Sequence, residues 1–124
     1  MCEGVPRGRK GEEQAAEFLV GAGMKIIAKN FRSRSGEIDL VALDGEIIVF
    51  IEVKTWSVYS LEDIRYSVDA KKQRRIIETA KYFLSLHREY NNMAVRFDVV
   101  FIARSDQCNQ GGISHFASAF TEEQ

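Results

Sequence analysis

The chain is poor in the residues that mark secreted, membrane-bound and metal-stapled proteins. Its 124 residues include two cysteines, one proline and two histidines. Cys2 and Cys108 have neither a metal-ligand spacing nor the dense pattern of a disulfide scaffold, so we expect free thiols. The longest apolar run, Ile47 to Ile51, is too short to span a bilayer, and the residues after Met1 lack the apolar core of a signal peptide. These shortages predict a cytoplasmic protein.

What is present suffices for a hydrophobic core. Hydrophobic residues make up 45% of the chain and no repeat is visible, which predicts one domain over residues 1–124. The formal net charge of −1 argues against a protein that coats nucleic acid by charge alone. The basic residues are nevertheless clustered, and such clusters either hold phosphates or are solvated surface. The clusters are Arg7, Arg9 and Lys10; Arg32 and Arg34; and Lys71, Lys72, Arg74 and Arg75.

Hydrophobic periodicity predicts the element order α-β-β-β-α-β, a mixed α/β fold with helices on the faces of a sheet. The predicted helices cover residues 10–20 and 68–87. The predicted strands cover residues 25–31, 37–43, 46–54 and 95–102, and residues 113–120 are candidates for an added edge strand.

The strongest hairpin signal is Asp44-Gly45 between two β-rich runs, a pair typical of a two-residue turn. With these two residues as the loop, Leu43 lies opposite Glu46, and Asp39 becomes a diagonal neighbour of Glu52. A three-residue loop with a bulge would shift the register by one residue and send Asp39 to the other face of the sheet. The predicted arrangement therefore depends on a tight turn.

This register places four charged residues on one face of the sheet, because side chains alternate along a strand. They are Glu37, Asp39, Glu52 and Lys54, with Glu37 directly opposite Glu52. The second strand is apolar on both faces, which indicates a covered central strand where unpaired charges are costly. The group is therefore either a set of ordinary ion pairs or a metal-dependent phosphodiester site.

Other residues could extend such a site. Glu12 lies on the core-facing stripe of the first helix, and either reaches past the helix start into water or points at the acidic group. Lys72 and Gln73 lie one turn before the apolar stripe of the second helix and could line the edge of the site. Trp56 and Tyr59 either stack on a base or belong to the core.

Some polar segments have simpler interpretations. Residues 32–36 form a flexible basic loop leading into Glu37, which suits a phosphate backbone. Asp98 is expected to be structural and to pair with a basic neighbour. His87 and His115 have no ligand spacing and no nucleophile partner, so we assign them no chemistry.

Six short motifs occur in order along most of the chain. They are Gly11-Glu12, Asn30-Phe31-Arg32, Gly36-Glu37-Ile38-Asp39-Leu40, Val49-Phe50-Ile51-Glu52-Val53-Lys54, Lys72-Gln73 and Arg96-Phe97-Asp98. Together they resemble the YraN-like family of small bacterial proteins, which belongs to the PD-(D/E)xK nuclease superfamily and is close to archaeal Holliday junction resolvases. The specific part of the resemblance is the Gly-Glu-Ile-Asp-Leu motif combined with Glu-Val-Lys.

The resemblance implies a restriction-endonuclease-like mixed sheet flanked by helices, and endonuclease activity. The positions that match the family's site are Glu12, Asp39, Glu52 and Lys54, with Gln73 at an accessory position. Trp56 departs from the basic residue usual in the family, and the glycine usual in the following loop is missing. These departures concern substrate contacts more than the metal site.

The resulting hypothesis is a site for one or two Mg²⁺ or Mn²⁺ ions. The expected ligands are Asp39, Glu52, the Val53 carbonyl and Glu12. Lys54 would orient or deprotonate a water for in-line attack on phosphorus, and Glu37 could orient Lys54.

The expected substrate is a nucleic acid, DNA above all, with branched or damaged DNA of repair and recombination among the candidates. A homodimer would be required for symmetric cleavage of a junction. Two alternatives stay open: a nucleic-acid-binding module that kept the fold and lost turnover, and a purely structural α/β domain, which would have to keep its charges on a buried face without an ion.

Overall fold

A computed structural model of the protein describes residues 9–56, 69–103 and 112–121. In chain order its elements are helix α1 (Arg9–Gly21), strands β1 (Lys25–Arg32), β2 (Glu37–Asp44) and β3 (Ile47–Trp56), helix α2 (Ala70–Leu86), a short 3₁₀ helix (Arg88–Tyr90), and strands β4 (Ala94–Ala103) and β5 (Ile113–Phe120). The predicted order of helices and strands is confirmed, and residues 113–120 do form a further strand.

The five strands form one mixed sheet in the order β1-β2-β3-β4-β5. Three neighbouring pairs are antiparallel, and β3 with β4 is the parallel pair. A parallel pair needs a long crossover, and α2 lies on that connection. The strand β3 is therefore central, as its apolar character on both faces predicts.

One helix covers each face of the sheet. Helix α1 packs through Ala15, Ala16 and Leu19 on a cluster that includes Leu40, Val49, Ile51 and Val100. Helix α2 packs through Ile76, Ala80 and Phe83 on a cluster that includes Phe50, Phe97 and Phe101. Neither helix has the length and the apolar character that crossing a bilayer requires, in the part of the chain that the structure describes.

The β2–β3 hairpin differs from the prediction by one residue on each strand. Asp44 pairs with Ile47, so the two-residue loop is Gly45-Glu46 rather than Asp44-Gly45. Gly45 takes the left-handed φ of 64°, which the first position of a tight hairpin loop can require. Asp44 stays in the strand, where its carboxylate binds Arg96 at 3.0 Å. The shift keeps the alternation along β3, so Glu52 and Lys54 stay on the face of Ile48 and Phe50.

Helix α2 begins at Ala70, and Asp69 is its N-cap. The Asp69 carboxylate accepts a hydrogen bond from the Lys72 backbone N–H at 2.9 Å, which satisfies one of the free donors of the first turn. Val68, where the helix was predicted to begin, lies outside the described residues. So do Cys2, Cys108, Arg7 and Tyr59, and the side chains of Arg9, Lys10 and Trp56.

Candidate active site

Strands β2 and β3 bring Asp39 and Glu52 together. Their pairing ends at Leu40 and Ile51, and the next residue on each strand is one of these two acids. Beyond that point the Val53 N–H donates its hydrogen bond to Oδ2 of the Asp39 side chain, at 2.7 Å, instead of to a backbone carbonyl of β2. The observed register therefore brings Asp39 opposite Glu52, whereas the prediction made the two residues diagonal neighbours.

The surroundings of Asp39 disfavour its charge. Burial is the largest cause, the negative charge of Glu52 is the next, and together they raise the pKa of Asp39 to about 7. The hydrogen bond from Val53 acts in the opposite direction, and the charges of Glu12 and Glu37 add smaller increases. Such a carboxylate gains more from a nearby cation than an ordinary surface aspartate does.

Glu52 is buried, with 7% of the residue exposed, and it carries two lysines on one oxygen. Lys54 Nζ lies 3.2 Å from Glu52 Oε2, and Lys72 Nζ lies 2.8 Å from the same atom. Lys54 comes from β3 and Lys72 from the first turn of α2. The predicted Glu52–Lys54 pair is present, and a second cation from another element completes it.

The two lysines are driven in opposite directions. Burial lowers the pKa of Lys54, and the hydrogen bond with Lys72 lowers it further, against the attraction of Glu52. Burial also acts to lower the pKa of Lys72, but its hydrogen bonds with Glu52 and Lys54 outweigh burial and raise it. Lys54 is therefore the more easily neutralised amine of the pair, which suits a group that exchanges a proton.

Glu12 reaches the neighbourhood of Asp39 because α1 begins tightly against the end of β3. A Cβ added at Gly11 would overlap the Thr55 hydroxyl, so glycine permits this close approach. Glu12 is half-buried, and its charge raises the pKa of Asp39. Glu12 was predicted either to reach into water or to point at the acidic group. Its effect on the pKa of Asp39 supports the second role.

Glu37 does not occupy its predicted position. In the observed register it pairs with Arg32 across β1 and β2, and its carboxylate lies 3.6 Å from the Arg32 guanidinium. The prediction that it lies directly opposite Glu52 is wrong, since the hairpin shift moves that place to Asp39. Glu37 acts on the site through its charge on Asp39.

Lys72 of α2 contacts Glu52. Gln73, the predicted accessory residue, lines a cavity of about 320 Å³ together with Arg74, Ile77 and Lys81. The sequence predicts Lys72 only as a possible residue at the edge of the site. The signal for it is helical spacing, because Lys72 lies four residues before the buried Ile76 and on the same face.

The basic loop between β1 and β2 is tied to α2. Ser33 N–H donates to the Gly36 carbonyl at 2.8 Å, which closes the loop, and the hydroxyls of Ser33 and Thr79 lie 2.9 Å apart. Thr79 is fully buried. The loop predicted to be flexible is thus closed by one hydrogen bond and attached to α2 through Ser33, and Arg34 is exposed on it.

A second polar cluster surrounds the fully buried Asp98. Arg96 binds both of its oxygens, at 2.9 and 3.0 Å, and His115 Nε2 lies 2.7 Å from Oδ2. The Ser118 N–H donates to Oδ1 at 3.0 Å. The structural role predicted for Asp98 and its pairing with a basic neighbour are confirmed. His87, the other histidine, stacks on an α2 phenylalanine with ring centroids 4.0 Å apart.

Asp39 and Glu52 offer oxygen donors of the kind that Mg²⁺ prefers, and Mg²⁺ is commonly held through one or two carboxylates and several waters. Within residues 9–56, 69–103 and 112–121, no group of three or more His, Cys, Asp or Glu side chains is arranged to hold a metal ion. The two carboxylates fit an open Mg²⁺ site, because a dication there would offset the repulsion that raises the pKa of Asp39.

Comparison with known proteins matches residues 11–102 to the model of the family described as "Uncharacterised protein family UPF0102". The chain belongs to this family. A UPF0102 protein of Treponema denticola is 45% identical over 121 residues, which cover 91% of this chain and 93% of the relative. One from Treponema pallidum (strain Nichols) is 44% identical over 93% of this chain and 92% of the relative. One from Clostridium perfringens is 47% identical over 74% of this chain and 75% of the relative. The matched segment includes both acids and both lysines of the candidate site.

Proposed function

We propose that this UPF0102 protein is a metal-dependent nuclease with a restriction-endonuclease-like fold, and that it hydrolyses phosphodiester bonds in DNA. The observation that carries the proposal is the convergence of Asp39 and Glu52 where the β2–β3 pairing ends, with Lys54 Nζ 3.2 Å from Glu52. Phosphodiester hydrolysis needs a charge to stabilise the transition state and a group that handles the proton of the attacking water. The two acids can hold a cation that supplies the charge, and the Lys54 amine can take the proton.

Asp39 and Glu52, with the Val53 carbonyl, would hold Mg²⁺ or Mn²⁺, which supplies a positive charge for the phosphate and makes a water easier to deprotonate. The Val53 N–H keeps the Asp39 carboxylate at the point where the strands part. Lys54, whose pKa is lowered chiefly by burial, can accept the proton of the attacking water. Once protonated, the same ammonium faces the negative charge that develops on the phosphate.

Exposed basic residues on two neighbouring elements support a nucleic acid as substrate. Arg34 and Arg75 are exposed, and a Cβ at Gly36 would lie 3.5 Å from Arg75 Cβ, so the basic loop and α2 run side by side. Phosphate contacts from such residues orient a strand without reading its sequence. Branched, nicked and single-stranded DNA are the first substrates to examine.

The test is a cleavage screen on branched, nicked and single-stranded DNA with Mg²⁺ and with Mn²⁺, using the wild type and Asp39→Asn. The proposal expects metal-dependent cleavage by the wild type, and loss of cleavage in Asp39→Asn. It fails if calorimetry detects no binding of a divalent cation to the wild type, or if both proteins cleave equally.

A binding module without turnover is the second candidate function. The observation in its favour is that Glu52 already carries two ammonium groups, which neutralise the acid without a metal ion. This candidate expects DNA binding that persists in EDTA and no cleavage product on any DNA structure. Cleavage by the wild type that disappears in Asp39→Asn would exclude it.

A further inference from the structure

Lys72 differs from Lys54 in how its ammonium group reaches Glu52. It comes from a helix on the sheet's face rather than from the strand of Glu52, and it makes the shorter contact, 2.8 Å against 3.2 Å. Its side chain is also the more exposed of the two, 38% against 22%. The Lys72 backbone is fixed by the hydrogen bond of its N–H to Asp69, so the side chain can move while the helix stays in place.

We infer that the Lys72 ammonium is a built-in counter-cation of Glu52, and that a divalent cation binding at Asp39 and Glu52 displaces it, so that Lys72 then binds a phosphate of the nucleic acid. The inference rests on the proposed metal site and deepens it. The Lys72 ammonium would contact Glu52 in the metal-free protein and a phosphate of the nucleic acid in the metal-bound protein.

The displacement follows from the charges. A divalent cation at the Glu52 carboxylate would repel an ammonium held 2.8 Å from Oε2 of the same group, because Coulomb energies rise steeply at separations near 4 Å in a half-buried site. Lys54 is the more enclosed and belongs to the same strand as Glu52. Lys72 can move into water more easily than Lys54, because more than a third of its flexible side chain is already exposed.

The destination of Lys72 follows from its neighbours. Lys71, Arg74 and Arg75 of the same helix are exposed, so an ammonium released from Glu52 joins a positively charged surface beside the site. A phosphate there would be attracted by the helix residues and by Lys72 together. Metal binding thereby strengthens substrate binding without a change in the fold.

Calorimetric titration with Mg²⁺ and with Mn²⁺ tests the displacement directly. Lys72→Met should bind the metal about 3- to 10-fold more tightly than the wild type, because the metal no longer competes with an ammonium. Lys72→Arg should bind it more weakly than the wild type, because a guanidinium holds a carboxylate through two hydrogen bonds. Lys71→Met is the matched control: it removes the same charge from the same turn and should stay within about twofold of the wild type.

Binding to a short phosphorothioate single-stranded DNA, measured by fluorescence anisotropy, tests the destination. With Mg²⁺, Lys72→Met should weaken binding by about 3- to 10-fold and reduce the salt slope by about 0.7, the loss of one phosphate contact. In EDTA the same variant should bind as the wild type does, because Lys72 is then held by Glu52.

The outcomes separate this inference from the proposed function. Equal metal affinity in the wild type, Lys72→Met and Lys72→Arg would overturn the inference and leave the metal site standing. If Lys72→Met fails to fold, Lys72→Arg decides, and an affinity equal to that of the wild type overturns the inference. No metal binding by any of the four proteins would overturn the proposed function, and the inference with it.

Discussion

Asp39 shows how one residue can make the protein's stability depend on pH. Its pKa is raised from an ordinary 3.8 to about 7, so between these values the folded protein holds a proton that the unfolded chain has lost. Folding therefore binds a proton in this window, and the free energy of unfolding falls as the pH rises from about 4 to about 7. Below about pH 4 both states are protonated and this contribution disappears.

Asp39→Asn should remove this dependence. Without metal, we expect the variant's free energy of unfolding at about pH 8 to exceed that of the wild type by roughly 1–4 kcal/mol. The asparagine oxygen can still accept the Val53 hydrogen bond, so the geometry is kept. Urea denaturation between about pH 4 and pH 8 measures the effect. A variant less stable than the wild type at pH 8 would show that the charge of Asp39 carries no penalty.

The same site should separate metal holding from proton transfer. Asp39→Asn should lose both Mg²⁺ binding and cleavage, because it removes an anionic ligand. Lys54→Met should keep or strengthen metal binding, since it removes a cation beside the metal, while cleavage falls by about 100- to 10,000-fold. Calorimetry and single-turnover cleavage measure the two properties. Cleavage at the wild-type rate by both variants would place the active site elsewhere.

At the scale of elements, the contact between α1 and β3 depends on one missing side chain. Gly11→Ala should lower the free energy of unfolding by about 1–3 kcal/mol, because the new methyl group would overlap the Thr55 hydroxyl. Chemical denaturation measures the loss. Gly21→Ala at the other end of α1 is the control, since a Cβ there meets no atom within 4 Å.

A rescue variant identifies the cause of that loss. Combining Gly11→Ala with Thr55→Ala removes the overlapping hydroxyl, so the double variant should be more stable than the sum of the two single changes predicts. Additive effects would mean that Gly11 is required for another reason than its approach to β3.

The link between β4 and β5 depends on a buried charge. Asp98→Asn should cost about 3–5 kcal/mol, because it removes the charge that Arg96 and His115 bind in the interior. Asp44→Asn touches the same arginine but has 41% of its side chain exposed, so its cost should stay below about 1 kcal/mol. Thermal or urea denaturation compares the two. Equal costs would contradict the assignment of Asp98 as the internal anchor.

Local patterns predicted the elements well and the contacts between them less well. The Asp44-Gly45 signal located the hairpin and brought Asp39 to the end of β3 that carries Glu52. It missed the register by one residue per strand, because Asp44 is retained in β2 by Arg96, which lies 52 residues away in the sequence. Likewise the pairing of Asp98 with Arg96 was within reach of local reasoning, whereas His115 and the Ser118 N–H reach Asp98 through the β4–β5 pairing.

The site was predictable to the extent that it lies on one hairpin. Asp39, Glu52 and Lys54 follow from alternation along β2 and β3. Lys72 required knowledge of how α2 docks on the sheet, which the periodicity of the helix alone does not supply, although its place one turn before Ile76 indicated the correct face. Glu37 was misplaced because its position depended entirely on the register.

At the scale of the whole molecule, the positions of the charged residues matter more than their sum. The formal net charge is −1, yet the exposed Arg34 and Arg75 lie on the basic loop and on α2, which run side by side at Gly36. Replacing both with Gln should weaken binding to DNA of any sequence and reduce the salt slope by roughly 1 to 2, since phosphate contacts carry no base information. Anisotropy titrations at several salt concentrations measure this.

The control for that pair keeps the total charge change equal. Lys25 and Lys29 are exposed on β1, and Lys25 pairs with Leu43, at the end of the strand opposite to the Arg32–Glu37 pair. Replacing both with Gln should leave the affinity and the salt slope close to those of the wild type. Equal effects from the two double variants would show that the net charge, and no particular surface, governs binding.

The parallel pairing of β3 with β4 also determines when the site can exist. Ile47 pairs with Ala94, so the central pair joins segments that the ribosome makes far apart in time. Asp39, Glu52 and Lys54 leave the ribosome before Lys72, and before the strand that completes the sheet around them. Until β4 has been made, the two acids remain hydrated, and the pKa of Asp39 stays near its ordinary 3.8. An unfinished chain therefore carries the acids without the sheet that surrounds them in the folded protein, and the candidate site can form only after β4 has been made.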